Sequence, residues 1–424
     1  MKFPPQQEAA LKSASAWMFD KSAPQVFYLG GYAGVGKTTL IKHLVKNACR
    51  RWLFASFTGK AAHVMRQKGC EGARTIHSLI YRPNGESRAT EIAALEQKLD
   101  TARKMVRDET MLDDSRTPSR EAVDMVASIE KKLLTLINER EPQYALWVNS
   151  PLADPDVEGI VIDECSMVDD RLGEDLESFG KKILVVGDPA QLPPVGAGGR
   201  YTKRTPDVML TEIHRQANES GILRLATLVR EGHTAAHFQG TEDCRVLFKE
   251  DFSRDELAGI VMTADQVLVG RNRTRRAFNQ RQRALLGMTE MTPVRGDRLV
   301  CLKNDRSLGL FNGSMWRVAA ASSDINTRTC NLEIDSEDGI GSLCVESWLH
   351  HMVGLEDELQ TLGWDRKNLA EFDYSYALTV HKSQGSQWDS VVLFDESSAF
   401  GREVGRRWLY TGITRAARKL TVVV

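Results

Sequence analysis

The stretch GYAGVGKTTL (31–40) has the residue types and spacing to hold a triphosphate. Gly31, Gly36, Lys37 and Thr38 satisfy G-x-x-x-x-G-K-[ST], a loop whose glycines let backbone N–H groups close around phosphate oxygens. Lys37 is the cation for the β- and γ-phosphates, and the Thr38 hydroxyl is a ligand for Mg²⁺. A second chemical group stands at Asp163 and Glu164, two carboxylates directly after the apolar run Ile160-Val161-Ile162. Behind a phosphate loop, Asp163 suits a water-mediated hold on Mg²⁺. Glu164 suits orientation and deprotonation of an attacking water. Gln191 lies in the polar turn after a further apolar run, placed to sense a γ-phosphate, although spacing alone also describes an ordinary turn residue. Upstream, Gln7 could offer both amide groups to an adenine edge or be a solvated helix residue. The expected ligand is ATP with Mg²⁺.

These groups need strands that end on them and helices that start from them. Val26-Phe27-Tyr28-Leu29 is apolar and β-prone, and the residues after Thr38 carry helical apolar spacing. A helix N-terminus there adds a favourable field for phosphate. Strands are expected at 52–56, 159–162 and 182–187, with helices opening after Phe57-Thr58 and at Thr75-Ile76-His77. Ligands of open α/β sheets sit at the carboxyl ends of such strands. The second half repeats the alternation without a second phosphate loop. A strand at 266–270 leads into a helix crowded by Arg271, Arg273, Arg275, Arg276, Arg281 and Arg283, read as a solvated basic face or a phosphate contact. Short strands and turns from 293 to 369 predict a small β domain, and 420–424 an edge strand. Over 86–141, apolar residues at 92, 95, 99, 102 and 106, then at 122, 126, 129, 133 and 136, trace two heptad seams. They predict an antiparallel helical hairpin. Its ten basic and thirteen acidic residues disfavour a phosphate-gripping arm and favour a solvated strut, with a strand-separating or partner-docking arm as the alternative.

At 424 residues the chain exceeds one ordinary core. With 42% hydrophobic and 27% charged residues it has the composition of a soluble globular protein. No apolar run approaches the ~20 residues of a membrane span, and MKFPPQQEAA does not read as a signal peptide. Seven cysteines without a C-x-x-C pair suggest neither a zinc site nor a disulfide framework, and point to a reducing cytoplasm. A net charge of −1 means that any nucleic-acid contact must use a local track.

In chain order, Gln7, GYAGVGKT, SFTGKAA (56–62), TIHSL (75–79), DECSM (163–167), GDPAQLPPV (187–195), LTEIHRQ (210–216), GDRLVCLKND with LFNG (296–305, 310–313), YALTVHKSQGSQWD (376–389) and LYTGITRA (409–416) form an ordered set. That set resembles the superfamily 1B DNA helicases, in the RecD-like and phage Dda-like group. The resemblance implies an α/β fold of two RecA-like motor domains, 1–82 with 151–204 and 205–290 with 371–424. A helical-hairpin insert (83–150) would interrupt the first and a small SH3-like β insert (291–370) the second. It implies Gln7, Gly31, Gly34, Gly36, Lys37, Thr38, Thr39, Asp163 and Gly385 at the nucleotide. Gln191 would couple the γ-phosphate to closure, and Arg215 and Arg415 would act as arginine fingers. Thr58, Lys60, His77, His381, Lys382 and Ser383 are implied at single-stranded DNA, with 5′ to 3′ movement. Partners would be single strands and single/double-strand junctions, with a single-strand-binding or replication protein, and no membrane. The setting would be a monomer in a bacterial or phage-infected cytoplasm. Phe57 stands where the family usually has proline, and the 86–141 insert replaces a short β-hairpin, which leaves the strand-separating wedge open. No large N-terminal extension is seen, as in the compact motors. The rival readings are a DNA-stimulated ATPase or translocase subunit without strand separation, and a P-loop kinase or other small-molecule NTPase.

Overall fold

Each apolar run that precedes a chemical group becomes a parallel strand in the computed structural model, which describes residues 3–46, 48, 50–83, 95, 98–99, 101–103, 125–126, 128–129, 144–147, 149–193, 199–212, 220–305, 308–339, 341–355, 357–358 and 369–424. The first half runs α1 (Pro5–Phe19), β1 (Val26–Gly31), α2 (Lys37–Lys46), β2 (Arg51–Ser56), α3 (Gly59–Gln67), β3 (Arg74–Thr75), α4 (Ile76–Ile80), β4 (Tyr81–Pro83), β5 (Tyr144–Leu146), β6 (Val157–Asp163), α5 (Asp170–Glu177), β7 (Lys182–Gly187) and β8 (Val208–Leu210). Six of these strands form one sheet in the order β3-β2-β6-β7-β1-β8, every neighbouring pair parallel. Helices must then cover the sheet faces, which is why β1 and β7 are buried along nearly their whole length. Phe27, Leu29, Leu40, Ile41 and Trp17 share one core cluster between sheet and helices.

The second half runs α6 (Gly221–Arg230), β9 (Cys244–Leu247), α7 (Arg254–Met262), β10 (Gln266–Val269), α8 (Asn272–Leu285), β11 (Arg298–Cys301), β12 (Met315–Asp324), β13 (Thr329–Ser336), β14 (Ser342–Trp348), α9 (His350–Val353), β15 (Ala370–Tyr374), β16 (Ala377–Thr379), β17 (Trp388–Phe394), α10 (Arg402–Ile413) and β18 (Ala416–Val423). A second parallel sheet has the order β16-β10-β17-β18-β9. The fold is thus a two-domain α/β architecture. The carboxyl-terminal strand corrects the expectation of an edge: β18 pairs with β17 on one side and β9 on the other. The short β9, from a distant part of the chain, takes the edge instead.

Strands β11 to β15 close a barrel around Trp316, Leu332, Ile334 and Phe372. Its last strand reaches Tyr374, past the expected limit at 370, because β15 must pair with both β14 and β11 to remove the sheet edges. The arginine-rich helix α8 is also corrected. Arg275 pairs with Asp373 and Arg283 with Asp297, all four side chains buried. These two arginines anchor the helix to the barrel instead of forming a solvated face, because the barrel leaves the chain just after α8 and returns just before β16.

Contacts group Met1–Leu79, Pro151–Glu356 and Leu369–Val424 into one unit, and Ile80–Ser150 with Asp357–Asn368 into another. In the second unit β4 and β5 pair antiparallel. The hairpin expected over 86–141 falls almost wholly outside the described residues. Of its first seam, Leu95, Leu99 and Ala102 are buried.

Candidate functional site

The phosphate loop leaves β1 and enters α2 through Gly34 (φ 81°) and Gly36 (φ 77°), a backbone region that side chains disfavour. Lys37 opens α2, and its Nζ donates to the carbonyls of Gly31 (2.7 Å) and Tyr32 (3.0 Å). A Cβ on Gly31 would meet Lys37 Cδ at 3.2 Å, so this glycine keeps the cradle open. Thr38 and Thr39 lie in the first turn of α2. Gln7 is buried and its Nε2 donates to the Val35 carbonyl at 2.8 Å. That engages one of the two amide hydrogens of its side chain. Its neighbour Gln6 ties α1 to the chain after β8: its Oε1 accepts from the N–H groups of Thr211 and Glu212.

Asp163 ends β6 and its Oδ1 accepts from the Glu164 N–H at 2.9 Å. Desolvation first, then the adjacent Glu164 charge, pushes the Asp163 carboxyl up to about 6, against the pull of Lys37. Thr38 and Asp163 are hard oxygen donors. That set fits Mg²⁺, which takes few protein ligands and completes its shell with water and phosphate. Glu164 itself has φ 56° and ψ 44°. With its nitrogen turned to Glu164, the Gln191 amide donates to Glu164 Oε2 at 3.2 Å, and its oxygen accepts from Arg415 Nη2 at 3.2 Å. Arg415 is buried and donates further to the carbonyls of Thr411 (3.0 Å) and Ser386 (3.3 Å). The structure therefore joins Glu164, Gln191 and Arg415 in one polar chain. Arg215 lies outside the described residues.

Further bonds span the two sheets. Thr411 Oγ1 accepts from the Leu192 N–H at 3.0 Å, Gln384 Nε2 donates to the Leu192 carbonyl at 3.0 Å, and Arg407 Nη1 donates to the Pro189 carbonyl at 3.4 Å. The Tyr410 hydroxyl donates to Asp188 Oδ2 at 2.6 Å and accepts from the Ala33 N–H in the phosphate loop at 3.3 Å. Burial raises the Asp188 carboxyl above its ordinary value, although Lys37 opposes this. Asp188 and Tyr410 sit inside two of the sequence motifs, yet the type and spacing of neither residue marked this role. Only their meeting across 222 positions of sequence does.

The residues proposed for DNA behave unequally. Thr58 caps α3, its Oγ1 accepting from the Ala61 N–H at 3.1 Å. His77 packs edge-on to Phe57, ring centroids 5.6 Å apart. A Cβ on Gly385 would meet Ala61 Cβ at 3.1 Å and Thr58 Oγ1 at 3.2 Å, so this glycine lies against the start of α3. His381, Lys382 and Ser383 form the turn after β16. Ser383 is fully buried and its Oγ donates to the Val380 carbonyl at 2.8 Å, so its hydroxyl is engaged inside the fold. Lys60 is no free cation either. It is buried against Asp338 of the barrel at 3.2 Å, with Nζ 5.3 Å from the centre of the Trp388 ring. The β13–β14 turn brings an acid to that lysine, a contact no local pattern contains.

Residues 4–247 match the AAA domain family, and residues 374–423 match the UvrD-like helicase C-terminal domain. The chain is 27% identical over 281 residues to the ATP-dependent RecD2 DNA helicase of Deinococcus radiodurans, covering 61% of this chain and 35% of that protein. It is 26% identical over 297 residues to the RecBCD enzyme subunit RecD of Mycobacterium tuberculosis, covering 62% and 49%. Thus the chain spans no more than about half the length of these curated relatives. Among solved structures, Pif1 from Bacteroides bound to single-stranded DNA superposes with a TM-score of 0.52 at 16% identity, over 100% of this chain and 92% of that one. Pif1 helicase from Candida albicans gives 0.50 at 16%, over 100% and 94%. At that identity the likeness is one of fold. The first family model alone covers more than half of the chain, so this chain belongs to the AAA-domain family, and it is similar over part of its length to RecD-type helicases.

Proposed function

We propose that the chain is an ATP-dependent DNA helicase that moves along single-stranded DNA, 5′ to 3′ by its resemblance, and unwinds duplex. The observation that carries this reading is the polar chain Glu164–Gln191–Arg415, which runs from the acid behind the phosphate loop to the second sheet. Lys37 exchanges its loop carbonyls for the β- and γ-phosphates. Glu164 orients a water and takes its proton. Arg415 puts a planar cation against the charge on the transferring phosphoryl, and Arg215 is assigned the same work by the resemblance. Gln191 touches both acid and finger, so it links the state of the γ-phosphate to the spacing of the two sheets. Mg²⁺ held through Thr38 and Asp163 would neutralise charge on the phosphates.

In this reading 1–82 with 151–204 forms the first motor domain. The second is 205–290 with the segment after the barrel, which ends at Tyr374. Thr58, His77, His381 and Lys382 line a sequence-tolerant track for the strand, as expected of backbone contacts. The protein acts as a cytoplasmic monomer at single/double-strand junctions, alongside a single-strand-binding or replication protein. Motion follows only if the open and closed sheets differ in affinity for the strand.

The test is strand displacement on duplexes with only a 5′ or only a 3′ tail, with and without ATP. Displacement from the 5′-tailed duplex alone, and only with ATP, is the expected result. Hydrolysis stimulated by single strands without displacement would remove strand separation from the reading and leave a translocase.

A further inference from the structure

We propose that a cavity beside the phosphate loop is a binding subsite for a phosphate dianion, the product that leaves the loop after hydrolysis. The inference rests on the nucleotide reading above. The cavity measures about 200 Å³ and is walled by Tyr32, Pro189, Arg230, Arg406, Arg407 and Tyr410. At roughly 30 Å³ per water, it holds a tetrahedral oxyanion together with some of its hydration. One wall is the phosphate loop itself, through Tyr32, and another is the turn that carries Gln191. The arginines come from the second sheet, Arg230 at the end of α6 and Arg406 and Arg407 in α10.

Three guanidinium groups around one cavity repel one another unless an anion lies among them. This chain neutralises its structural arginines with buried carboxylates, as at Arg275–Asp373 and Arg283–Asp297. The cavity arginines lack such partners. Arg230 has Glu231 at 4.0 Å and Arg407 has Glu403 at 3.4 Å, acids that are 55% and 72% exposed and screened by water. Among the described residues, Arg406 has no carboxylate within salt-bridge distance, and its Nη1 donates to the Arg230 carbonyl at 2.9 Å. The forks are nevertheless held in place. The Arg230 guanidinium lies 3.7 Å from the centre of the Tyr32 ring, and Arg407 donates to the Pro189 carbonyl. Guanidinium forks that are held in place and paired at most with exposed acids match the paired oxygens of an oxyanion such as phosphate.

Binding of inorganic phosphate to the nucleotide-free full chain is followed by ³¹P line broadening in wild type, Lys37→Ala and the Arg406→Ala/Arg407→Ala double variant. The expected result is broadening that survives Lys37→Ala and weakens at least fivefold in the double variant, with partial recovery in Arg406→Lys/Arg407→Lys. Binding lost in Lys37→Ala but kept in the double variant would assign the ion to the phosphate loop and overturn the subsite. Inhibition of DNA-stimulated hydrolysis by phosphate is measured in parallel, and its inhibition constant should rise at least fivefold in the double variant. A raised KM for ATP with an unchanged inhibition constant would assign the arginines to intact nucleotide and equally overturn the proposal. Absence of any hydrolysis in wild type would count against the nucleotide reading, while the binding comparison still decides the subsite.

Discussion

Glu164 occupies the left-handed backbone region, where a side chain other than glycine is strained, and such strain persists when surrounding contacts over-determine it. Here the Asp163 carboxylate takes its N–H, and Gln191 takes its side chain. Glu164→Gln keeps the shape and the Gln191 contact but cannot accept a proton. Nucleotide binding should therefore persist while kcat falls by about 10² to 10⁴, read by fluorescent-nucleotide titration and phosphate production. Lys37→Ala removes the cation that meets the phosphates. Hydrolysis should drop by at least about 10² with single-strand binding retained, and wild-type turnover in that variant would discard the site. His381 supplies a pH effect. Burial holds its imidazole below the ordinary value, so the unfolded chain binds the proton more readily than the folded one. Stability should thus decline as pH falls through about 6.5. The thermal midpoint should drop less between about pH 7.5 and 5.5 in His381→Gln than in wild type.

At the scale of elements, two helices owe their positions to polar residues whose function is structural. Helix α8 is fastened to the barrel by Arg283, which reaches both oxygens of Asp297 at 2.8 and 2.9 Å, while Asp297 also accepts from the Val294 N–H and the Tyr376 hydroxyl. Asp297→Ala would strand a buried guanidinium and should cost about 3–5 kcal/mol, measured as a shift in the urea midpoint. Helix α3 begins at the Thr58 cap, and Thr58→Ala should cost about 1 kcal/mol of stability before any effect on DNA is counted. Comparing the two losses separates a residue that only caps from one that also grips. Lys60, engaged with Asp338, joins α3 to the barrel in the same way.

At the scale of the molecule, the two parallel sheets meet through α10: Tyr410 reaches Asp188 and the phosphate loop, Thr411 reaches Leu192, and Arg407 reaches Pro189. These directional bonds tie the phosphate loop and the turn after β7 to the second sheet, which is the connection that the proposed coupling would use. The net charge of −1 gives no long-range pull on DNA, so affinity must come from local phosphate contacts. Binding of short single strands should be insensitive to base sequence. It should weaken with salt at a log–log slope of about −0.7 per phosphate contacted, followed by fluorescence titration between about 50 and 200 mM salt. A flat salt response would discard a backbone track.

The phosphate loop, the strand that ends on Asp163 and the alternation of strands and helices were legible in the sequence, because each depends on spacing within a few residues. The polar residues whose position depends on distant chain were not. Arg275 and Arg283 read as part of a solvated face or a phosphate contact and are buried in ion pairs, β18 read as an edge and lies inside its sheet, and nothing near Lys60 in sequence announced its contact with Asp338. By itself, then, the sequence determined which chemistry the chain carries and the kind of elements that hold it. Tertiary structure alone decided which charges are neutralised and which are left facing a cavity, because charge burial depends on partners that only folding brings within a few ångströms.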